Sequence, residues 1–392
     1  MVGGGPAGSS TAIALRQSGL PVIVLDQARF PRDKVCGDVI LPQAQDGLRS
    51  LGLDLTELAS QRLLCTGARY HGPDGRNIAG LFHSIEGDDR PWWMIRRSLF
   101  DAWLLNAAAR SGAEIRQGWR VESVLQEGRE VGGVRVRNHG ALEASAVVGA
   151  DGAASVVARS VGLMSRPAQH VCLAARAYVR ADLSPEPYLE VFTTAESLPG
   201  CAWIVPVAPG EFNVGAGIVQ SDAQRLQTTP QQLFRKMLLT TPAFSERLRG
   251  ADIPQLSGWV LPSASQGRKL GGPGFLLAGD AGAMVDPFTG HGIHHALHAG
   301  QIAARVIAYG RVDAAAARLY EASCRAAFLK ETSAGYWLQR IHSQELAVRL
   351  AVRLIGVHQG LRRLFLSLIG HTDPRQALLR PREIGRALLT WR

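Results

Sequence analysis

Three glycines within the first eight residues, Gly3, Gly5 and Gly8, form the pattern G-x-G-x-x-G. In such a turn the first glycine permits a tight bend, the second lets backbone approach a pyrophosphate, and the third lets a helix pack on a strand. We predict that helix over residues 9–17, so that its free N–H groups and positive dipole end face the phosphates. This stretch therefore predicts a dinucleotide-binding unit.

An apolar run at residues 22–25 comes next and ends on Asp26. The run predicts the second strand of the unit. An acid at the end of that strand is placed to hold a ribose hydroxyl. The turn, the helix, the strand and the acid together are a more specific indication than the glycines alone.

The length of 392 residues fits two domains better than one. A hydrophobic content of 46% with 19% charged residues is typical of a globular protein and excludes a disordered chain. The five cysteines are dispersed and form no C-x-x-C pair. We therefore expect a reducing compartment, and a cytoplasmic protein, rather than a disulfide framework.

Positive charge is concentrated in the last quarter of the chain. Residues 303–392 hold 15 Lys and Arg against 6 Asp and Glu, whereas the other 302 residues hold 28 against 27. Such a segment could face an anionic membrane, a phosphorylated substrate or an acidic carrier protein, or it could be only a solvated helical surface. Nucleic acid is not expected as a partner, because no recognition motif accompanies the charge.

Two further strand-like runs end in acidic turns. Residues 146–150 lead into Asp151-Gly152, and residues 274–278 lead into Gly279-Asp280. The sequence between them, at 166–262, is β-rich, and helical periodicity extends from 302 onwards. This order predicts an α/β protein in which a discontinuous nucleotide-binding domain receives an inserted β-rich substrate domain and is followed by a helical C-terminus.

We place the boundaries of these units from the same patterns. The nucleotide-binding domain is predicted at residues 1–64, 92–163 and 264–310. The substrate domain is predicted at 65–91 and 164–263, and the helical C-terminal segment at 311–392.

The glycine motif, Asp151-Gly152 and the stretch from Gly279-Asp280 to Ile293 together resemble one family. The chain is similar to the flavoprotein superfamily of the aromatic hydroxylases, or group A flavin monooxygenases, and the geranylgeranyl reductases. The resemblance implies FAD as the cofactor and a Rossmann-like domain of the glutathione reductase type. The residues agree: Asp280 can accept hydrogen bonds from a ribitol hydroxyl, and residues 287–293 predict a turn that points helix N–H groups at the flavin pyrimidine ring.

The resemblance also implies cofactor contacts from every part of the nucleotide domain. Carried over position by position, these contacts are Gly3, Gly5, Ala7, Gly8, Asp26, Cys36, Gly37, Arg97, Val121, Asp151, Gly152, Gly279, Asp280, Pro287, Gly290, Gly292 and Ile293. The neighbouring Arg96 is a rival for the role of Arg97.

Within the superfamily, Phe30-Pro-Arg-x-Lys-x-Cys-Gly37 looks most like the geranylgeranyl reductases, which implies that Cys36 lies beside the flavin ring as a catalytic candidate. Cys201-Ala-Trp-Ile-Val-Pro206 is similar to the reductases' aromatic-x-Trp-x-aromatic-Pro signature. Trp203 and Pro206 are therefore expected at the substrate. His291 stands where the reductases usually place Glu, and it is a second catalytic candidate, able to donate a proton or stabilise anionic flavin.

Two activities stay open from these motifs. In one, reduced FAD reduces a carbon–carbon double bond of an apolar or carrier-bound substrate; in the other, a monooxygenase uses reduced FAD and oxygen to hydroxylate or epoxidise. The loop of Cys36 and the presence of Trp203 favour reduction. NAD(P)H or another reductant is expected to bind transiently, because no second G-x-G-x-x-G is present.

Three other functions are less favoured. A halogenase needs a lysine for the hypohalous species, yet none lies between Lys34 and Lys236. A non-catalytic prenyl-binding role is disfavoured because the flavin motifs are intact. A metal site is not predicted, since no carboxylate joins the histidines at 291, 294 and 298.

The strand before the glycine motif is short. Only Met1 and Val2 stand where a strand of about five residues is usual. Members of the superfamily carry a full strand there, in the middle of the sheet. We therefore expect exposed apolar surface and unpaired backbone, and with them either a natural start further upstream or weak FAD binding.

Overall fold

The computed structural model describes residues 1–82, 90–181, 188–370 and 380–389, with helices and strands numbered here in chain order. The helices are α1 (Pro6–Gln17), α2 (Pro42–Arg49), α3 (Arg97–Arg110), α4 (Val156–Ser160), α5 (Gln220–Arg225), α6 (Pro230–Thr240), α7 (Pro242–Arg247), α8 (Ile293–Ala308), α9 (Ala314–Cys324), α10 (Lys330–His342), α11 (Glu345–Val357), α12 (Gln359–Gly370) and α13 (Pro381–Leu389). The strands are β1 (Ile23–Asp26), β2 (Val39–Ile40), β3 (Leu63–Cys65), β4 (Gly67–His71), β5 (Asn77–Leu81), β6 (Trp92–Met94), β7 (Glu114–Gln117), β8 (Val121–Glu127), β9 (Glu130–Val136), β10 (Gly140–Glu143), β11 (Val147–Gly149), β12 (Val171–Arg180), β13 (Tyr188–Phe192), β14 (Cys201–Ala208), β15 (Glu211–Val219), β16 (Ser257–Pro262), β17 (Gly271–Gly272) and β18 (Phe275–Leu277).

A mostly parallel sheet contains the predicted nucleotide strands. β1 pairs with β7 and β11 pairs with β18, both in parallel, and β17 adds an antiparallel edge. Helices α3 and α8 pack against α1. The core around α1 is apolar and includes Ile13, Val24, Leu104 and Leu297. This part of the chain is the α/β unit that the sequence predicts.

Val2 connects the two halves of this sheet. It forms parallel bridges to Leu25 of β1 and Gly149 of β11. The Val2 N–H donates to the Val148 carbonyl at 3.0 Å, and the Val2 carbonyl accepts from Ala150 N–H at 2.8 Å. The Val2 side chain is buried. The prediction of unpaired backbone and exposed apolar surface at this position is therefore wrong.

Helix α3 agrees with its predicted span but not with its predicted face. The sequence of residues 97–111 predicts an amphipathic helix with Leu99, Trp103 and Leu104 on one apolar face, and the structure has the helix at Arg97–Arg110. Phe100, Trp103 and Leu104 are buried, whereas Leu99 is exposed. The buried side of the helix is thus formed by Phe100 and by the residues three and four positions after it. Leu99 lies just outside that side.

A seven-stranded sheet forms the second layer. Its strand order is β16-β12-β15-β14-β13-β4-β5, and β13 pairs with β4 in parallel. Strands from the two separated segments of the predicted substrate domain therefore meet in one sheet. The exact domain boundaries stay a prediction, and residues 83–89, 182–187, 371–379 and 390–392, which fall within predicted segments, lie outside the described residues.

The C-terminal part is helical, as predicted. A π-helical turn at Arg325–Leu329 joins α9 to α10. Helices α11 and α12 pack on β5, and α12 also contacts β4. Within the described ranges, no helix is both long enough and apolar enough to cross a membrane.

Candidate active site

A cavity of about 860 Å³ is lined by the parallel sheet, the seven-stranded sheet and the C-terminal helices. This volume is in the upper part of the range for small-molecule sites, roughly 300–1,000 Å³. Most residues proposed from the sequence line it: Gly3, Gly5, Ala7, Asp26, Cys36, Gly37, Arg97, Val121, Asp151, Gly152, Trp203, Gly279, Asp280, Pro287, Gly290, His291, Gly292 and Ile293. The two exceptions are Gly8 and Pro206.

The glycine turn presents backbone at one end of the cavity. Gly3 has a φ of +99°, and a Cβ there would lie 2.3 Å from the Ala150 carbonyl oxygen. Gly5 is the N-cap of α1 and provides no side-chain cap, so the first-turn N–H groups of the helix are left for a ligand. A helix N-terminus of this kind favours an anion such as a pyrophosphate.

Gly8 has the packing role that the glycine pattern predicts. A Cβ at this position would lie 1.8 Å from the Gly3 carbonyl oxygen. The residue is buried in the first turn of α1 and faces the glycine turn rather than the cavity. Gly8 therefore allows the turn and the helix to approach each other, and its contact with a cofactor stays a prediction.

Asp26 fixes the glycine turn from the end of β1. Its Oδ2 accepts from Gly4 N–H at 2.8 Å, and its Oδ1 accepts from Ala28 N–H at 2.8 Å. The carboxylate also lines the cavity, where its remaining lone pairs can accept from a ligand hydroxyl.

Asp151 and Gly152 follow β11 and form the second wall of this end. The Asp151 carboxylate accepts from the Ser155 hydroxyl and from Val156 N–H, both at 2.6 Å, which ties the turn to the start of α4. Burial raises the pKa of Asp151. Gly152 has a φ of +75°, a conformation that glycine adopts readily.

The stretch from Gly279 to Gly292 and helix α8 continue the cavity wall beside the glycine turn, since a Cβ at Gly279 would lie 3.3 Å from the Cβ of Ala7 in α1. The Asp280 carboxylate pairs with the Lys34 ammonium at 3.2 Å, and both groups line the cavity. Asp286 accepts from the N–H groups of Phe288 and Thr289, which shapes the loop that leads into α8. Gly292 is the N-cap of α8 and provides no side-chain cap. A second helix N-terminus therefore faces the same cavity.

Arg97 is held rigidly next to Cys36. Its guanidinium makes two bonds to the Asp101 carboxylate, each of 2.7 Å, in a fully buried pair. Although burial acts to lower the pKa of Arg97, the charge of the Asp101 carboxylate and the hydrogen bonds to it raise that pKa well above its usual range. Arg96 does not line the cavity; it pairs with Glu211. The structure therefore favours Arg97 over Arg96.

A buried polar network holds the backbone of the Cys36 loop. The Asn213 side-chain amide donates to the Cys36 carbonyl and to the Asp38 carboxylate, both at 2.6 Å. Asp38 also accepts from the Tyr178 hydroxyl at 2.8 Å and from Arg97 N–H at 2.9 Å. Burial raises the pKa of Asp38, because its effect is larger than the lowering that these hydrogen bonds cause.

Sequence reasoning did not find Asp38 or Asn213. The available signal was an asparagine within the otherwise apolar run of β15, where an amide must find a partner. That signal shows that a partner is needed, but not which residue provides it.

Trp203 of β14 lines the cavity from the seven-stranded sheet, and its indole N–H donates to the Asn213 side-chain oxygen at 2.9 Å. The absence of a Cβ at Gly215 makes room for the ring, because a Cβ there would lie 2.4 Å from Trp203 Cζ2. Side chains alternate along β14, so Cys201, Trp203 and Val205 line the cavity and Pro206 does not. The structure therefore gives no support to a substrate contact of Pro206, which stays a prediction.

Two histidines line the cavity. The ring of His291 contacts Trp92 edge-on, with centroids 5.3 Å apart. His342 of α10, which the sequence analysis did not find, has its Nε2 3.1 Å from the Tyr70 hydroxyl. Burial lowers the pKa of His342 to about 4. The imidazole is therefore neutral near neutral pH.

Comparison with known proteins gives a family for these features. The FAD binding domain family matches residues 1–328. A menaquinone reductase of Mycolicibacterium smegmatis is 30% identical over 331 residues, which cover 80% of this chain and 76% of the relative. A digeranylgeranylglycerophospholipid reductase of Methanosarcina acetivorans is 28% identical over 312 residues, covering 77% of this chain and 73% of the relative.

Two solved structures share the fold over nearly the full chain. A geranylgeranyl bacteriochlorophyll reductase-like protein from Thermoplasma acidophilum superposes with a TM-score of 0.80 at 20% identity and covers 98% of both chains. A flavin-dependent brominase superposes with a TM-score of 0.79 at 20% identity, covering 99% of this chain and 97% of its own. At this identity the likeness concerns the fold alone.

Proposed function

The chain belongs to the FAD binding domain family, and from this premise we propose that it reduces carbon–carbon double bonds in an apolar chain of isoprenoid type. It is an FAD-dependent oxidoreductase related to reductases. One of these relatives is named for a digeranylgeranyl lipid, a compound with isoprenoid chains.

The residues of the cavity fit FAD. Gly3 and Gly5 leave backbone open to a pyrophosphate, and two helix N-termini without side-chain caps, at Gly5 and Gly292, face the same space. Asp26 and Asp280 offer carboxylate oxygens to ribose and ribitol hydroxyls. When bound, FAD supplies the cavity with a carrier of two electrons.

The observation that carries the proposal is the apolar wall in the same cavity. Beyond the Cys36 loop the lining is formed mainly by hydrocarbon and aromatic side chains: Leu189, Val191, Trp203, Val205, Val219, Leu261, Phe365 and Ile369. An apolar wall of this kind suits a long hydrocarbon and offers few groups to bind a polar substrate. The substrate we propose is therefore an apolar chain, presented by a membrane or by a carrier.

Cys36 and His291 are proposed as the catalytic residues. Saturating a double bond adds hydrogen to both carbons, and one of the two additions is a proton that an acid must provide. Both side chains line the cavity and both carry an exchangeable proton. We assign the remaining cavity-lining motif residues to binding, and NAD(P)H or another soluble reductant to transient electron supply.

Anaerobic single turnover tests the proposed reaction. The purified chain is loaded with FAD, reduced without oxygen and mixed with a digeranylgeranylglycerophospholipid in detergent. We expect the oxidised-flavin absorbance to return and the lipid to gain two hydrogens per double bond. Product that forms only after oxygen is admitted, and that carries an oxygen atom, would show a monooxygenase and overturn the proposal.

A further inference from the structure

The outer side of α11 carries a continuous apolar row. Leu346, Leu350, Leu354 and Val357 recur at spacings of four, four and three, so they lie on one side of the helix. The opposite side carries Val348 and Val352, which are buried in a cluster with Tyr70 and Ile78 of the seven-stranded sheet. The row therefore faces outward while the other side of the helix is anchored to the fold.

Helix α10 adds two more exposed apolar side chains, Trp337 and Ile341, which are four residues apart, and α10 packs against α11. The six residues Trp337, Ile341, Leu346, Leu350, Leu354 and Val357 are between 52% and 71% exposed, and we call them the outer apolar face. Exposed apolar residues on a monomer are usually single, so six on two adjacent helices indicate a contact surface.

Basic residues accompany this face. Between residues 337 and 370 the chain has five arginines and a single acid, Glu345, which pairs with Arg349 at 2.6 Å. Arg340, Arg353 and Arg363 are exposed. A large apolar face flanked by arginines complements a bilayer that contains anionic lipid, because the arginines meet the headgroups while the apolar side chains enter the acyl boundary.

The same helical segment also forms part of the cavity wall. Gln339 and His342 of α10 and Phe365 and Ile369 of α12 line the cavity. Tyr70 lines it as well and packs against the inner side of α11. The outer apolar face thus lies on α10 and α11, and the adjacent residues of α10 and α12 line the apolar cavity.

We propose that the outer apolar face docks the protein on the surface of a bilayer containing anionic lipid, and that the substrate enters the cavity from there. A second copy of this chain is a poorer occupant, because two such faces would bring together six exposed arginines, namely Arg340, Arg353 and Arg363 of each copy. Docking through this face follows from its exposed residues and their charge, whereas entry of the substrate from the bilayer rests on the function proposed above.

Vesicle binding of the full FAD-loaded chain tests the docking surface without any turnover. The probes are vesicles of phosphatidylcholine alone and of phosphatidylcholine mixed with phosphatidylglycerol. We expect co-sedimentation with the anionic vesicles, and a loss of binding of more than about tenfold when Leu346→Ser, Leu350→Ser and Leu354→Ser are combined. Combining Arg340→Gln, Arg353→Gln and Arg363→Gln should cost on the order of a hundredfold, and only on the anionic vesicles.

A matched control uses Leu239 and Tyr309, which are 86% and 85% exposed and lie outside the face. The pair Leu239→Ser and Tyr309→Ser should bind vesicles like the wild type, and bound FAD reports that each variant is folded. Equal binding by the triple leucine variant and the wild type would overturn the proposal. The proposal would also be overturned if the wild type formed a dimer, the triple leucine variant were a monomer, and neither of the two bound vesicles. The face would then join two copies of the protein.

The two proposals fail separately. Reduction of detergent-dispersed lipid measures the reaction, whereas co-sedimentation measures only docking. A chain that reduces the dispersed lipid but does not bind anionic vesicles contradicts the docking surface and leaves the reaction standing.

Discussion

Asn213 donates its side-chain amide to the Asp38 carboxylate over 2.6 Å, although 175 positions separate the two residues in the sequence. The same amide nitrogen donates to the Cys36 carbonyl, and the side-chain oxygen accepts from the Trp203 indole. A single residue of the seven-stranded sheet therefore fixes both the Cys36 loop and the aromatic wall of the cavity.

Replacing Asn213 tests whether it positions the Cys36 loop. Asn213→Ala leaves Asp38 and the Trp203 N–H short of a buried partner, which should lower the free energy of unfolding by about 1–3 kcal/mol. We also expect kcat to fall by at least about tenfold in protein that retains FAD, with a smaller change in KM. Asn106→Ala, at an exposed position on α3, is the matched control. Unchanged kcat per bound FAD would leave Asn213 a purely structural residue.

Replacing Cys36 tests the first catalytic assignment. If the thiol provides the proton, Cys36→Ala should lower turnover by at least about a hundredfold while FAD binding persists. Cys324→Ala removes a buried thiol that does not line the cavity and should retain turnover per bound flavin. Anaerobic single turnover with both variants makes the comparison. Full turnover in Cys36→Ala removes this residue from the mechanism.

Replacing His291 tests the second assignment. We expect His291→Gln to lower turnover and to shift the flavin reduction potential, because the side chain lines the cavity at the start of α8. His139→Gln is the control, since His139 is exposed and does not itself line the cavity. The readouts are the potential and the turnover rate. If neither changes, His291 has no role in the reaction.

Replacing Gly8 tests the packing role that the structure assigns to it. Gly8→Ala places a Cβ against the Gly3 carbonyl, so the turn must shift and we expect most bound FAD to be lost. Gly132→Ala is the control, because nothing lies within 4 Å of a Cβ there and its φ is not positive. Flavin content per protein is the measurement. A fully loaded Gly8→Ala protein would show that the turn tolerates displacement.

His342 makes stability depend on pH. Burial lowers its pKa from 6.5 to about 4, so the unfolded chain binds a proton that the folded chain does not. Its contribution is present above pH 6.5 and is lost as the pH falls towards about 4. Between about pH 7 and pH 5 we expect the wild type to lose about 1–2 kcal/mol more than His342→Gln. Urea unfolding at the two pH values measures this, and equal losses would contradict it.

The sequence predicted those parts of the site whose constraints are local. Gly3 and Gly152 need backbone conformations that glycine adopts readily, and Asp26 and Asp280 follow short apolar strands, so a few neighbouring residues suffice to identify them. The two-layer arrangement could also be predicted, because nucleotide-type strands on both sides of β-rich sequence leave few topologies.

The remainder depends on contacts that a single sequence does not contain. Asp38, Asn213 and His342 have partners far along the chain, and no local pattern identifies those partners. The error at Leu99 came from a helical face predicted without knowledge of the elements that pack against it. Tertiary packing decides such cases.

The bridging position of Val2 has a consequence for synthesis on the ribosome. Its neighbour β11 ends at Gly149 in the sequence. The part of the cavity wall that Gly279 and α8 form comes more than a hundred residues later. A nascent chain that has released its first hundred residues holds the glycine turn without the strand that flanks it and without the second helix terminus. We therefore expect FAD to bind late, after most of the polypeptide has been synthesised and its distant segments have come together.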